Sequence, residues 1–151
     1  MKSEYYETEA SEDCLIFRFE SVSEFRSVQK IIAYSPSIYG PNTYNLGLGD
    51  LLSNGKICDL SVSNNLDMPK IMATVVRSML EFFRRYPDSS IYITGSTPAR
   101  TRLYNIIISK ELLEAKRIFE IYGLKGKERE FFTPNCRYNA FLIKYINNTR
   151  R

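Results

Sequence analysis

The segment Ile91-Tyr-Ile-Thr-Gly-Ser-Thr-Pro-Ala-Arg-Thr-Arg-Leu-Tyr104 places a short apolar strand before a turn and a helix start that carries two arginines. Those residue types in that order suit the capture of an anion. Gly95 permits close backbone approach, Thr97 stands where a helix cap belongs, and Pro98 suits the first helical position. Unpaired N–H groups at a helix start carry partial positive charge, which Arg100 and Arg102 would reinforce by bidentate contact with phosphate or carboxylate. The expected binding set is Gly95, Ser96, Thr97, Arg100, Arg102 and Tyr104, with phosphate on the arginines and Tyr104 stacking or donating a hydrogen bond. The segment has neither the Gly-x-x-x-x-Gly-Lys-Ser/Thr of a P-loop nor the Gly-x-Gly-x-x-Gly of a dinucleotide fold. A purely structural role stands beside the ligand reading: either arginine could tie the turn to an acidic side chain such as Asp50 or Asp59.

The chain contains no histidine, which removes Ser-His-Asp and Cys-His nucleophile pairs, His-based zinc sites and imidazole general bases. Cys14, Cys58 and Cys136 are odd in number and widely spaced, as free thiols in a reducing compartment would be. Asp50 and Asp59 flank the hairpin and, with Glu20 or Asp67, could gather as an oxygen-ligand metal site. A metal-dependent phosphodiesterase or nuclease would need them gathered. Nothing in their spacing demands it. No catalytic residue, metal or cofactor is assigned.

Charge is divided unevenly. Residues 1–75 hold 6 basic and 10 acidic side chains, whereas residues 76–151 hold 15 and 7, so the second half is basic. Toward its end basic and aromatic residues interleave: Lys125, Lys127, Arg129, Phe131, Phe132, Arg137, Tyr138, Lys144, Tyr145, Arg150 and Arg151. Proteins of single-stranded nucleic acid use cations along phosphates and rings against bases. The same pattern also describes a surface hairpin whose rings pack inward.

The elements that must hold these residues follow from periodicity. Cys14 to Glu20, Phe25 to Tyr34, Thr43 to Asp50 and Lys56 to Ser63 read as strands of an antiparallel meander, with Asn54-Gly55 as a hairpin turn. Asp67 and Pro69 open a helix whose Met72, Val75, Val76, Met79, Leu80 and Phe83 form one apolar stripe ending at Tyr86-Pro87. Ser89 to Thr94 is a strand. Pro98 to about Lys110 is a second helix with Ala99, Leu103, Ile106 and Ile107 inward, and Glu111 to Lys116 could continue it. Ile118 to Tyr122 and Tyr138 to Ile146 are two more strands, joined by a charged connection from Gly123 to Pro134. The expected fold is α+β, a single domain over residues 1–151. Its mostly antiparallel sheet of about six or seven strands carries two helices packed on one face.

The chain resembles an uncharacterised family of small bacterial proteins, a domain of unknown function. The likeness lies in Tyr44-Asn-Leu-Gly-Leu-Gly-Asp50, Asp59-Leu-Ser-Val-Ser-Asn-Asn65, Tyr86-Pro87, Gly95-Ser-Thr-Pro-Ala-Arg-Thr-Arg-Leu-Tyr104, Phe119-Glu-Ile-Tyr-Gly123 and Tyr138-Asn-Ala-Phe-Leu. That resemblance implies a bacterial cytosolic protein and transfers no catalytic residue.

The acidic, polar first residues lack the apolar core of a signal peptide, and no run is long enough to span a membrane, so a cytoplasmic location is expected. The expected function is non-catalytic binding of a phosphate-bearing partner, nucleic acid or nucleotide. A protein partner or homodimer, as in a bacterial toxin–antitoxin or defence pair, is the main alternative.

Overall fold

The computed structural model describes residues 4–24, 26–51, 54–55, 57–58, 67–95, 97–112, 118–134 and 136–146. Strict alternation makes β2 (Ile16–Val22) a half-covered strand: Phe17, Phe19 and Ser21 are buried and the residues between them exposed. It pairs antiparallel with β1 (Glu9–Ala10) and with β3 (Ser27–Pro36), which pairs with β4 (Thr43–Leu51) in register Ile32↔Leu48. Gly55, at φ 85°, turns the chain into β5 (Ile57–Cys58), which folds back on β4 as the Asn54-Gly55 signal requires. The rest of the expected return strand, to Ser63, lies outside the described residues.

The first helix, α1 (Met68–Arg85), has Pro69 in its opening turn and two arginines in its last, an arrangement that suits the helix dipole. Its stripe is buried as the periodicity requires, except for the half-buried Leu80, and Ile71, Ala73, Phe82 and the small polar Thr74 and Ser78 are buried with it. Asp67 occupies the cap position but makes no cap bond there. Its Oδ2 instead accepts the hydroxyls of Tyr6 and Ser21, tying the N-terminal segment and β2 to the start of α1.

The chain then enters β6 (Ser90–Ile93), parallel to β4, and α2 (Pro98–Ile107), which runs into a π-helical turn at Ile108–Leu112. Next come β7 (Phe119–Lys125), β8 (Glu128–Phe131) and β9 (Ala140–Tyr145). Among the described residues the sheet has nine strands in the order β1-β2-β3-β4-β6-β9-β7-β8, with β5 on β4. Every described ladder except β4–β6 is antiparallel. The fold is therefore α+β, as expected, but the sheet is mixed and longer than six or seven strands.

The additions have clear causes. Gly126, at φ 60°, converts the expected Gly123–Pro134 connection into a tight β7–β8 hairpin, and charged residues on β8 hide an exposed edge strand from a search for apolar alternation. The two-residue β1 is too short to leave a periodic signal.

Both helices cover the same sheet face. Phe82 and Phe83 pack against Tyr34, Tyr44, Phe119 and Tyr145, while Tyr104 and Ile108 join the same cluster with Ile93 and Phe141. The inward set expected for α2 is different from the one observed: Ala99 is exposed, Ile106 is 62% exposed, and the buried residues are Tyr104 and Ile108. The side chains of Leu103 and Ile107 lie outside the description. Tyr104 and Ile108 turn toward the sheet, where they join the core with Ile93 and Phe141. Among the described residues no helix is long and apolar enough to cross a membrane.

Candidate functional site

Beyond the end of β6 the chain turns tightly, and hydroxyl groups fasten the turn. The Thr94 hydroxyl donates to the Asn139 carbonyl (3.0 Å), holding the strand end against the segment that leads into β9. The Gly95 N–H donates to Thr101 Oγ1 (3.1 Å), and the Thr101 hydroxyl and N–H both donate to the Thr97 carbonyl (3.2 and 3.0 Å). Thr101 is thus the clamp of the turn, a role its neighbours in sequence do not reveal. Because the Gly95 N–H is already committed to Thr101, it does not complete an anion cradle, contrary to the expectation from the sequence.

In α2, Pro98, Thr101, Arg102 and Asn105 follow the i, i+3, i+4, i+7 spacing of one helix face. That face borders a pocket of about 550 Å³, closed on the other side by Arg137, Tyr138 and Asn139, with Gly95 and Thr97 at its rim. The Asn105 Nδ2 donates to the Cys136 carbonyl (2.8 Å), joining the two walls. Asn139 Oδ1 accepts the Gly126 N–H (2.8 Å), so the hairpin turn also braces the wall.

Tyr138 is packed rather than mobile. Its hydroxyl accepts the Thr133 N–H and donates to Glu130 (both 3.0 Å), and Glu130 is ion-paired with Lys125 at 3.6 Å. Its ring lies against Phe132 and Phe141, directly over Gly123, where no side chain would fit. Burial raises the pKa of this phenol, with the Glu130 carboxylate acting in the same direction, so it remains a neutral wall at ordinary pH.

Arg102 and Arg137 are both exposed, and among the described residues no carboxylate lines the pocket. Neither arginine is ion-paired with a carboxylate among the described residues. Two guanidinium groups from separate elements therefore meet one cavity with no carboxylate neighbour among the described residues.

Of the six residues expected from the sequence, Gly95, Thr97 and Arg102 border this pocket. Tyr104 does not: it is 8% exposed and sits in the core, so its ring cannot stack on a ligand. Ser96 and the side chain of Arg100 lie outside the described residues. The Arg100 backbone is two positions before Arg102, about 160° around the helix, so the two Cα atoms stand on different sides.

Asn105, Arg137, Tyr138 and Asn139 were not singled out as a site. Arg137 and Tyr138 did stand in the basic and aromatic run, but no local spacing announces that this run returns to α2. The rings of that run divide: Phe132 and Tyr138 pack inward, while Phe131 is 67% exposed beside Tyr122, with the Arg129 guanidinium 4.7 Å from the Tyr122 ring centre. Arg150 and Arg151 lie outside the described residues.

The carboxylates considered for a metal are arranged otherwise. Asp50 is buried against the Lys30 ammonium, which neutralises the charge a cation would need. Asp67 Oδ2 accepts two hydroxyls while its Oδ1 is buried with no hydrogen-bond partner among the described residues, and Asp59 lies outside the described residues. Among the described residues no three Asp, Glu or Cys side chains gather as metal ligands. Cys14 and Cys136 are free and half-buried.

A family model, Family of unknown function (DUF6934), matches residues 2–146, and the chain belongs to that family. Comparison with curated proteins and with solved structures returned no match.

Proposed function

We propose that this member of a family of unknown function is a bacterial cytoplasmic binding protein, without catalytic activity of its own. Its partner is phosphate-bearing, a nucleotide or nucleic acid, held in the pocket between α2 and the segment before β9. One observation carries the reading: Arg102 and Arg137 border the same cavity, and no carboxylate lines it among the described residues. Guanidinium groups offer forked donors that match phosphate oxygens, and a polar pocket of this volume is within the range of small-ligand sites. The basic balance of the second half of the chain would favour the approach of such a partner.

The test is binding of single- and double-stranded DNA and RNA and of nucleotides across a salt series. Phosphate contact predicts binding at low salt that weakens as salt rises and is lost in Arg102→Ala with Arg137→Ala. Absence of binding at low salt, or indifference to both substitutions, would refute the proposal.

The second reading, a protein-interaction module such as one member of a toxin–antitoxin or defence pair, draws on the sheet face that neither helix covers. There Tyr92, Leu142, Tyr122 and Phe131 lie in one row across four strands, Tyr39 stacks on Tyr92 at 4.8 Å, and Ile38 nearby is fully exposed. Size-exclusion with light scattering would detect self-association through that face.

A further inference from the structure

We propose that the pocket selects a phosphate monoester in its dianionic form, the group carried by a nucleoside monophosphate or by the phosphorylated end of a strand, over the internal diesters of nucleic acid. The inference rests on the anion reading above and sharpens it.

Two fixed positive charges face the cavity, and a monoester carries close to two negative charges above its second pKa of about 6, whereas a diester carries one. Charge matching therefore favours the monoester. The shape agrees: about 550 Å³ bounded by α2, the β6–α2 turn and the segment before β9 suits one nucleotide, while a chain of diesters needs a groove running past it.

The carboxamides add a source of base recognition. Asn105 uses its nitrogen on the Cys136 carbonyl, and Asn139 uses its oxygen on the Gly126 N–H, so both amide orientations are dictated by their partners. Among the described residues, Asn105 Oδ1 and Asn139 Nδ2 are left as one acceptor and one donor on the pocket wall. That pair complements the N–H and C=O edge of an amide-bearing base.

The composition makes the proposal unusually testable by pH. With no histidine in the chain, ordinary side chains do not change charge appreciably between about pH 5 and 7.5, so a change in affinity there reports the ligand. Among the described residues, the charged and titratable groups around the site are Arg102, Arg137, the Tyr138 phenol with its raised pKa, Cys136, and Glu130 paired with Lys125 behind the Tyr138 ring. A monoester with a second pKa of about 6 becomes roughly tenfold richer in dianion between pH 5 and 7.5.

The experiment is calorimetric titration of the full chain with guanosine monophosphate, inorganic phosphate, and one short oligonucleotide bearing either a 5′-phosphate or a 5′-hydroxyl, at pH 5 and 7.5 and constant ionic strength. The expected result is about tenfold tighter monophosphate binding at pH 7.5 and about tenfold preference for the phosphorylated strand. Both should be lost in Arg102→Gln and in Arg137→Gln, whose folding is checked by thermal melts. Stronger binding of the mononucleotide than of the phosphorylated strand identifies a small ligand; equal binding identifies a strand end. Arginine-dependent binding of both oligonucleotides alike, or monophosphate affinity unchanged by pH, overturns the monoester inference while leaving an anion site. Absence of arginine-dependent binding to any probe overturns both.

Discussion

Replacing Gly123 with alanine would place a methyl carbon inside 3.0 Å of three atoms of the Tyr138 ring. The ring has no easy retreat, because Thr133 and Glu130 hold its hydroxyl and Phe132 and Phe141 flank it. Overpacking of this kind costs about 1–3 kcal/mol. It is offset by roughly 0.5–1 kcal/mol because alanine loses less backbone freedom than glycine in a strand. For a chain of this size each kcal/mol moves Tm by about 2–4 °C, so Gly123→Ala should melt up to about 10 °C lower. It should also weaken phosphate binding, since Tyr138 is a pocket wall. The decisive assay is a double-mutant cycle by urea denaturation with Tyr138→Ala. Once the ring is gone, Gly123→Ala should be neutral or stabilising. An equal loss of stability in both backgrounds would show that the constraint on Gly123 has nothing to do with Tyr138, and the argument for a braced wall would fail.

Other perturbations probe the remaining polar groups. Lys30 and Asp50 are 5% and 7% exposed, so Lys30→Met strands a buried carboxylate and should cost about 3–5 kcal/mol by denaturant titration, with part recovered in Lys30→Met/Asp50→Leu. Asp67→Ala removes the acceptor of the Tyr6 and Ser21 hydroxyls. It should cost about 1–3 kcal/mol and expose residues 4–10 to limited proteolysis sooner than in wild type. Burial pushes the pKa of Tyr34 far above its ordinary value of 10.0, so the folded state holds its proton more tightly than the unfolded chain. Its contribution is complete below about pH 10 and is lost as pH rises toward the folded pKa. Wild type should therefore lose up to about 1.4 kcal/mol per pH unit more than Tyr34→Phe between pH 10 and 11.5, measured by chemical denaturation.

Much of the scaffold was legible in local patterns. The alternation around Phe17 and Phe19, the Asn54-Gly55 turn, the α1 stripe and the strand-turn-helix after Ile91 depend on side chains only a few residues apart, so period and turn chemistry suffice to place them. The same locality located Arg102 and Thr97 near the start of α2. It failed where burial is decided by distant partners. Tyr104 read as an outward ring because Arg100 precedes it by one turn, yet the core claimed it once α2 settled on Ile93 and Phe141. Ile106 read as core and faces solvent.

Composition and near-neighbour spacing determined that the chain builds an α+β sheet, lacks imidazole chemistry and carries a basic second half. Tertiary structure decided that Arg137 meets Arg102, that Thr101 takes up the Gly95 N–H, and that Lys30 neutralises Asp50. These last choices depend on the order in which strands lie across the sheet. Inserting β9 between β6 and β7 brings residues 136–139 beside α2, a juxtaposition over some 35 positions of chain that no periodic pattern encodes.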